Sequence, residues 1–158
     1  MNLTPHWAAA AVFIALSSVS LPRAQAMEES NGSVIIEWND LLQRNVGGPP
    51  IGQSRYYAML HIAMADAVVA IDQRYRPFHA QLPASWGASA EAAAAQAGHD
   101  VLVALLPGTQ ALADGALANR LAQIPPVRAL LGAQVGRKAA AAILAWRQNG
   151  RRLHGCSR

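Results

Sequence analysis

Apolar positions along this chain recur at the spacing of α-helices, and no stretch keeps the strict alternation of a β-strand. Proline and glycine divide the pattern into five segments. The predicted helices run over 34–45, over 53–74, from Ser89 to Leu106, over 110–123, and from Pro125-Pro126 to a stop at Gly150. Thr109 is the predicted cap of the fourth. The sequence therefore predicts an all-α fold, a helical bundle of about five helices.

The last helical segment places small residues every four positions, at Gly132, Gly136 and Ala140. Residues four apart lie on the same face of a helix, so this face lacks bulky side chains. Charged residues interrupt the same helix, which argues against a transmembrane dimer motif. We expect another helix of the bundle to approach this face closely.

The first 26 residues do not follow the helical pattern and resemble a leader. An apolar run over 7–21 ends at Pro22, and Ala24-Gln25-Ala26 fits a small-x-small cleavage site. The run is short for a membrane span, which needs about 20 residues. We expect a signal peptide over 1–26 and an exported protein, periplasmic or secreted, with no stable membrane span after cleavage. One helical domain over 27–150 and a basic irregular tail over 151–158 would remain.

Charge and cysteine content exclude several classes of function. Over 27–150 the chain has nine acidic and nine basic residues, so the pI of about 10.0 does not indicate a nucleic-acid partner. Cys156 is the only cysteine, which excludes an internal disulfide and a zinc site made of several thiolates. The histidines are too scattered to predict a metal site by spacing. Whether His99-Asp100 and Asp114 meet across helices is not visible in the sequence.

The second helix is unusual because Arg55, His61 and Asp66 interrupt an apolar, core-like pattern. Arg55 and Asp66 are eleven residues apart, which places them on nearly the same stripe, roughly 16 Å apart along the axis. Polar groups buried among apolar side chains need partners, because an unpaired buried charge is costly. We therefore expect these groups to be buried and held by a surrounding structure that is larger than this chain.

Several short motifs occur in a fixed order along the chain. They are Trp38-Asn39, Arg55-x-x-Ala58, Ala63-x-x-Asp66-Ala67, Tyr75-Arg76-Pro77-Phe78, the Ala-Ser-Ala-Glu-Ala segment at 88–92, Val101-Leu102-x-x-Leu105-x-Pro107, and Gly136-x-x-Ala139-Ala140-x-Ile143-Leu144-x-x-Arg147. In order and spacing this series resembles the N-terminal helical half of bacterial vanadium-dependent haloperoxidase-like proteins, within the type 2 phosphatidic acid phosphatase superfamily. The resemblance covers roughly residues 34–150.

The resemblance implies an all-α domain that supports a second helical bundle, which holds vanadate or phosphate in complete relatives. Trp38, Asn39, Arg55 and Asp66 would form a structural polar motif of the supporting domain. The family's oxyanion pocket uses a Lys-x6-Arg-Pro, a Pro-Ser-Gly-His and a Ser-Arg-x5-His segment. This chain has no Ser-Gly-His, and Ala145 stands seven positions after its single lysine, Lys138, where the arginine should be.

Only the third pocket segment finds a match, Ser54-Arg55-x5-His61. On one continuous helix, residues six apart lie roughly 240° around the axis, so Arg55 and His61 would not converge. We therefore predict no catalytic, cofactor-binding or metal-binding residue in this chain, with Arg55 and His61 as the remaining catalytic candidates.

Three hypotheses follow for function. In the first, the chain is the scaffold part of an exported haloperoxidase- or acid-phosphatase-like protein. It would lack the oxyanion-binding half, be inactive alone and associate with a missing C-terminal helical half. The alternative is a self-sufficient periplasmic helical interaction module without catalysis. The third is a minimal phosphatase in which Arg55 binds the oxyanion and His61 attacks phosphorus.

Overall fold

The computed structural model describes the backbone of residues 22–83 and 85–153, and the side chains of 32–83 and 85–148. It contains five α-helices: α1 Pro22–Asn45, α2 Pro50–Asp72, α3 Ala90–Leu105, α4 Gln110–Ala122 and α5 Pro126–Leu153. A 3₁₀ turn, Pro107–Thr109, joins α3 to α4. The described residues contain no strand, which confirms the predicted all-α fold.

Two helices extend beyond their predicted ends. α1 begins at Pro22, so 22–26 of the predicted signal peptide are helical, while 1–21 lie outside the described residues. α5 continues past Gly150 to Leu153 and includes the first part of the predicted irregular tail, whereas 154–158 lie outside the description. A glycine in a helix costs about 1 kcal/mol relative to alanine, which weakens a helix without having to end it.

α3 lies at the centre of the bundle and contacts each of the other four α-helices. Its alanines at 92–95 and 97 are fully buried. α5 runs parallel to it, with Gly132 against Ser89 and Ala92, and Gly136 against Gln96 and Ala97. The backbones of α3 and α5 are therefore in near contact, which confirms the close approach predicted from the small residues.

The largest fully buried side chains come from four of the helices and fill the space around α3. They include Trp38 and Leu42 of α1, Leu60 and Met64 of α2, Val101 and Leu102 of α3, and Ile143 of α5. α4 differs, because Ala113 is the only residue of this helix that is buried. Few apolar contacts hold α4, so its polar contacts carry more of its attachment.

Capping residues were predicted for the N-termini of α3 and α4. Ser89 accepts a hydrogen bond from the Ala92 N–H at 3.2 Å and caps α3 as predicted. Thr109 lies at the N-cap position of α4, as predicted, but its side chain makes no capping hydrogen bond. It ends the 3₁₀ turn, and its hydroxyl donates backward to the Leu106 carbonyl at 2.7 Å. None of the described helices combines the length and the apolar composition that a membrane span requires.

Candidate functional site

Asp66 is the most deeply buried charged residue described, with 2% of its surface exposed. Its carboxylate accepts hydrogen bonds from the backbone N–H groups of Phe78, His79 and Ala80, at 2.6, 3.0 and 2.8 Å. Hydrogen bonds to an ionised acceptor are stronger than neutral ones and compensate for the burial of the charge. Asp66 therefore fixes the loop that follows α2 and is shielded from any external substrate.

The same loop also reaches α5 through an aromatic contact. The imidazole of His79 stacks on the indole of Trp146, with ring centroids 4.6 Å apart and planes inclined by 21°. The Arg147 guanidinium lies 5.6 Å from the centroid of the same indole. The loop that follows α2 is thus held by Asp66 of α2 on one side and by Trp146 of α5 on the other.

Trp38 and Asn39 connect α1 to the bundle. The buried indole of Trp38 lies against Gly98, where an added Cβ would meet ring atoms at 2.7–3.0 Å. Its ring is also edge-on to His99, at 6.2 Å between centroids. Asn39 Oδ1 lies 3.2 Å from His61 Nε2, where the imidazole N–H can donate to the amide oxygen. The Trp-Asn pair is therefore a packing element joining α1 to α2 and α3.

Arg55 departs from expectation. It is exposed, so the prediction that it is buried with His61 and Asp66 was wrong. The first turns of α2 lie beside the end of α3, near Leu105, and leave the guanidinium at the edge of an open pocket of about 220 Å³. The side chain of Arg55 has no hydrogen bond or ion pair to any described residue.

The four residues of the predicted polar motif therefore do not form one cluster. Trp38 and Asp66 are buried at different contacts, and Asn39 is paired with His61. Arg55 and His61 also share no site, because His61 faces α1 while Arg55 is open to solvent. Their positions on a single helix keep the guanidinium and the imidazole apart, as the angular argument predicted.

His99 forms a bridge between α3 and α4. The sequence alone did not show whether this contact exists. Its Nδ1 lies 2.8 Å from Asp100 Oδ1 and its Nε2 lies 2.7 Å from Asp114 Oδ1. Both ring nitrogens can donate to carboxylates only in the imidazolium form. Asp100 also accepts from Gln96 Nε2 at 2.8 Å. The histidine and both aspartates are thus occupied in holding α4 to α3.

Arg120 makes a second link to α4, and sequence reasoning did not find it. Its Nε donates to Glu37 Oε2 on α1 at 3.1 Å, and its Nη1 donates to Glu91 Oε1 on α3, also at 3.1 Å. The hydrogen bond to Glu37 is the main cause of a raised pKa of Arg120, and it outweighs desolvation, which acts in the opposite direction. One guanidinium therefore joins three helices.

Replacing Arg120 with methionine is expected to lower the free energy of unfolding by about 2 kcal/mol, because Glu37 and Glu91 would lose their shared cation while partly buried. Urea unfolding followed by circular dichroism would measure the loss. Arg44→Met is the control, since Arg44 forms an exposed pair with Asp40 within α1 and its loss should cost under about 0.5 kcal/mol. Equal losses in the two variants would contradict this role for Arg120.

What remains after these contacts is a set of small surface pockets. One of them, about 300 Å³, is lined by residues that include Val69, Tyr75, Pro77 and Leu82, and Tyr75 is the only titratable residue in its lining. Among the residues whose side chains are described, no group of three or more His, Cys, Asp or Glu could hold a metal ion. Comparisons with profiles of protein families, with curated proteins and with solved structures found no match.

Proposed function

We propose that this chain is the helical scaffold unit of an exported protein of the vanadium-dependent haloperoxidase or acid phosphatase type. In this proposal the oxyanion chemistry belongs to a second helical half, and this unit supports that half. The proposal combines the ordered motifs of the sequence with the contacts that those motifs make. Nothing in it depends on Arg55 or His61 as catalytic groups.

The main observation that supports the proposal is that the carboxylate of Asp66 holds a loop of the same chain. A buried carboxylate that accepts three backbone hydrogen bonds is occupied in holding a loop and is not available for acid–base catalysis. The other polar residues of the resembling motifs are used in similar ways, with Trp38 packed on Gly98 and Asn39 paired with His61. A domain whose motif residues stabilise packing fits a supporting role.

Equilibrium dialysis of the purified chain against orthovanadate tests the proposal directly. We expect no stoichiometric retention, and no change in Arg55→Ala or His61→Ala variants. The second arm is co-expression with a helical polypeptide that carries the oxyanion pocket segments, including Pro-Ser-Gly-His, which should co-purify and then bind vanadate. Stoichiometric retention by the chain alone, abolished in Arg55→Ala and His61→Ala, would contradict the proposal and support the minimal phosphatase.

A self-sufficient interaction module is the second candidate, and a different observation favours it. The chain buries a continuous core around α3, and its described carboxylates all have partners within the chain. Such a domain can fold without a second half. A cooperative thermal transition without binding of a hydrophobic dye would favour the module, whereas a broad transition with dye binding would favour a unit that needs its partner.

A further inference from the structure

The acidic residues are confined to the first part of the chain. All nine Asp and Glu precede Gly115, whereas α5 carries six basic residues and no acidic one. Because α5 lies along one side of α3, the exposed face of this helix presents basic side chains and no acidic one. One side of the bundle therefore has a positive potential that no carboxylate of α5 reduces.

The carboxylates elsewhere are already paired within the part of the chain whose side chains are described. Glu37 and Glu91 bind Arg120, Asp40 binds Arg44, Asp72 binds Arg74, Asp100 and Asp114 bind His99, and Asp66 binds backbone N–H groups. By contrast, the exposed side chains of Arg128 and Lys138 on α5 have no ion pair or hydrogen bond to a described residue. The positive charge of these two side chains is therefore not neutralised by a described carboxylate and is available to a partner molecule.

Three large apolar side chains are exposed at the same end of α5. Trp86 is 88% exposed, Val127 70% and Leu130 57%. The turn that carries Trp86 lies beside the start of α5, because the Ser89 N–H donates to the Arg128 carbonyl at 3.0 Å. A shallow pocket of about 100 Å³ between this loop and Lys138 continues the surface. We call Trp86, Val127, Arg128, Leu130 and Lys138 the α5 patch.

We infer that the α5 patch docks an acidic amphipathic helix, one that presents apolar side chains flanked by Glu or Asp. The inference gives a chemistry to the partner of the proposed scaffold and in that respect rests on the proposed function. Tryptophan is over-represented among the residues that anchor protein interfaces. The two cations steer an acidic partner and reject a basic one. The pocket between the loop and α5 has room for one apolar side chain of such a helix.

Other occupants fit the patch less well. The described carboxylates of a second copy already hold contacts within their own chain, so binding the patch would require those contacts to break. A helix that lies on a membrane needs an apolar stripe along its length. Here the exposed face beyond Leu130 continues with Gln134, Arg137 and Ala141, which would insert little apolar surface into a bilayer.

The binding test uses a fluorescently labelled helical peptide built from Leu, Ala and Glu, with its leucines on one face. A matched peptide carries Lys in place of Glu. Fluorescence anisotropy with the purified chain should show binding of the Glu peptide that weakens as salt is raised, and at least about 10-fold weaker binding of the Lys peptide. Equal affinity for the two peptides would overturn the inference, as would tighter binding of duplex DNA or of vesicles containing anionic phospholipid.

Variants locate the binding on the surface. Trp86→Ala should weaken binding of the Glu peptide about 10-fold or more, and Leu130→Ala a few-fold. Leu112→Ala is the matched control for Leu130, because Leu112 is equally exposed, at 58%, but lies on α4. Lys138→Glu should weaken binding and flatten its salt dependence, whereas Arg76→Glu in the loop after α2 should do neither. Equal effects at Leu112 and Leu130 would overturn the inference.

The same variants separate the two proposals. If the polypeptide that carries the oxyanion pocket segments co-purifies equally well with the Trp86→Ala and Lys138→Glu variants, the scaffold function stands and the α5 patch is not its docking surface. If no such complex forms but the Glu peptide binds as described, the docking surface stands and the scaffold assignment fails.

Discussion

The Gly136→Ala variant is expected to be destabilised by about 2 kcal/mol or more, although alanine is the better helix former. A Cβ at Gly136 would lie 2.8 Å from Gln96 Cβ and 2.9 Å from the Ala97 backbone nitrogen, and it would also meet the Ala93 carbonyl oxygen. Backbone atoms of α3 cannot rotate away as a side chain can. α5 would have to move outward, and the loss of packing would spread along the whole α3–α5 contact.

Gly115→Ala on α4 provides a control of opposite sign. A Cβ at Gly115 meets nothing within 4 Å, so only the helix propensity changes. This variant should gain about 0.5 to 1 kcal/mol. Urea unfolding of the two variants under the same conditions measures both effects. A gain of stability in Gly136→Ala would mean that α3 and α5 are not in backbone contact at this position.

The parts of the fold that follow from spacing were predictable from the sequence. Gly132 and Gly136 mark a close helix contact because residues four apart share a face, and the structure places α3 there. Ser89 marks the start of α3 because a serine before an alanine-rich run supplies a local acceptor. These signals lie within one or two helical turns, so no knowledge of the tertiary structure was needed to interpret them.

Contacts between distant residues were not predictable in the same way. Arg120 and Glu37 are 83 positions apart, and nothing in either local pattern selects the other as partner. The partners of Asp66 are backbone N–H groups, which have no residue signature at all. For Arg55 the prediction was wrong in the opposite direction. Its position on the apolar stripe of α2 predicted burial, but no neighbouring helix covers the first turns of α2. Helical periodicity cannot show where a neighbouring helix ends.

In the candidate site, too, local features were predictable from the sequence and contacts between helices were not. The prediction that Arg55 and His61 do not converge needed only the geometry of one helix, and the structure places them apart. The placement of His99 between Asp100 and Asp114 required the relative positions of α3 and α4, which the sequence left open. The α5 patch required both the absence of acidic residues from α5 and the pairing of the described carboxylates, and only the first is visible in the sequence.

Asp66→Ala is expected to lower the free energy of unfolding by about 3 kcal/mol, because three backbone N–H groups lose their acceptor at once. The Ala80 N–H is buried and has no access to solvent, while the N–H groups of Phe78 and His79 are more open and can recover part of the loss from water. Asp66→Asn should lose less than Asp66→Ala, because one amide oxygen can still accept.

The measurement is urea unfolding, with Asp72→Ala as the control. Asp72 is also an aspartate of α2, but its described pairing is to the neighbouring Arg74 at the surface, so its removal should cost under about 0.5 kcal/mol. Limited proteolysis adds a second readout, since the 75–83 loop should become cleavable in Asp66→Ala and stay resistant in Asp72→Ala. If Asp66→Ala kept both its stability and its resistance, the His79–Trp146 stack would suffice to hold the loop. Asp66 would then lose the structural role on which the scaffold proposal rests.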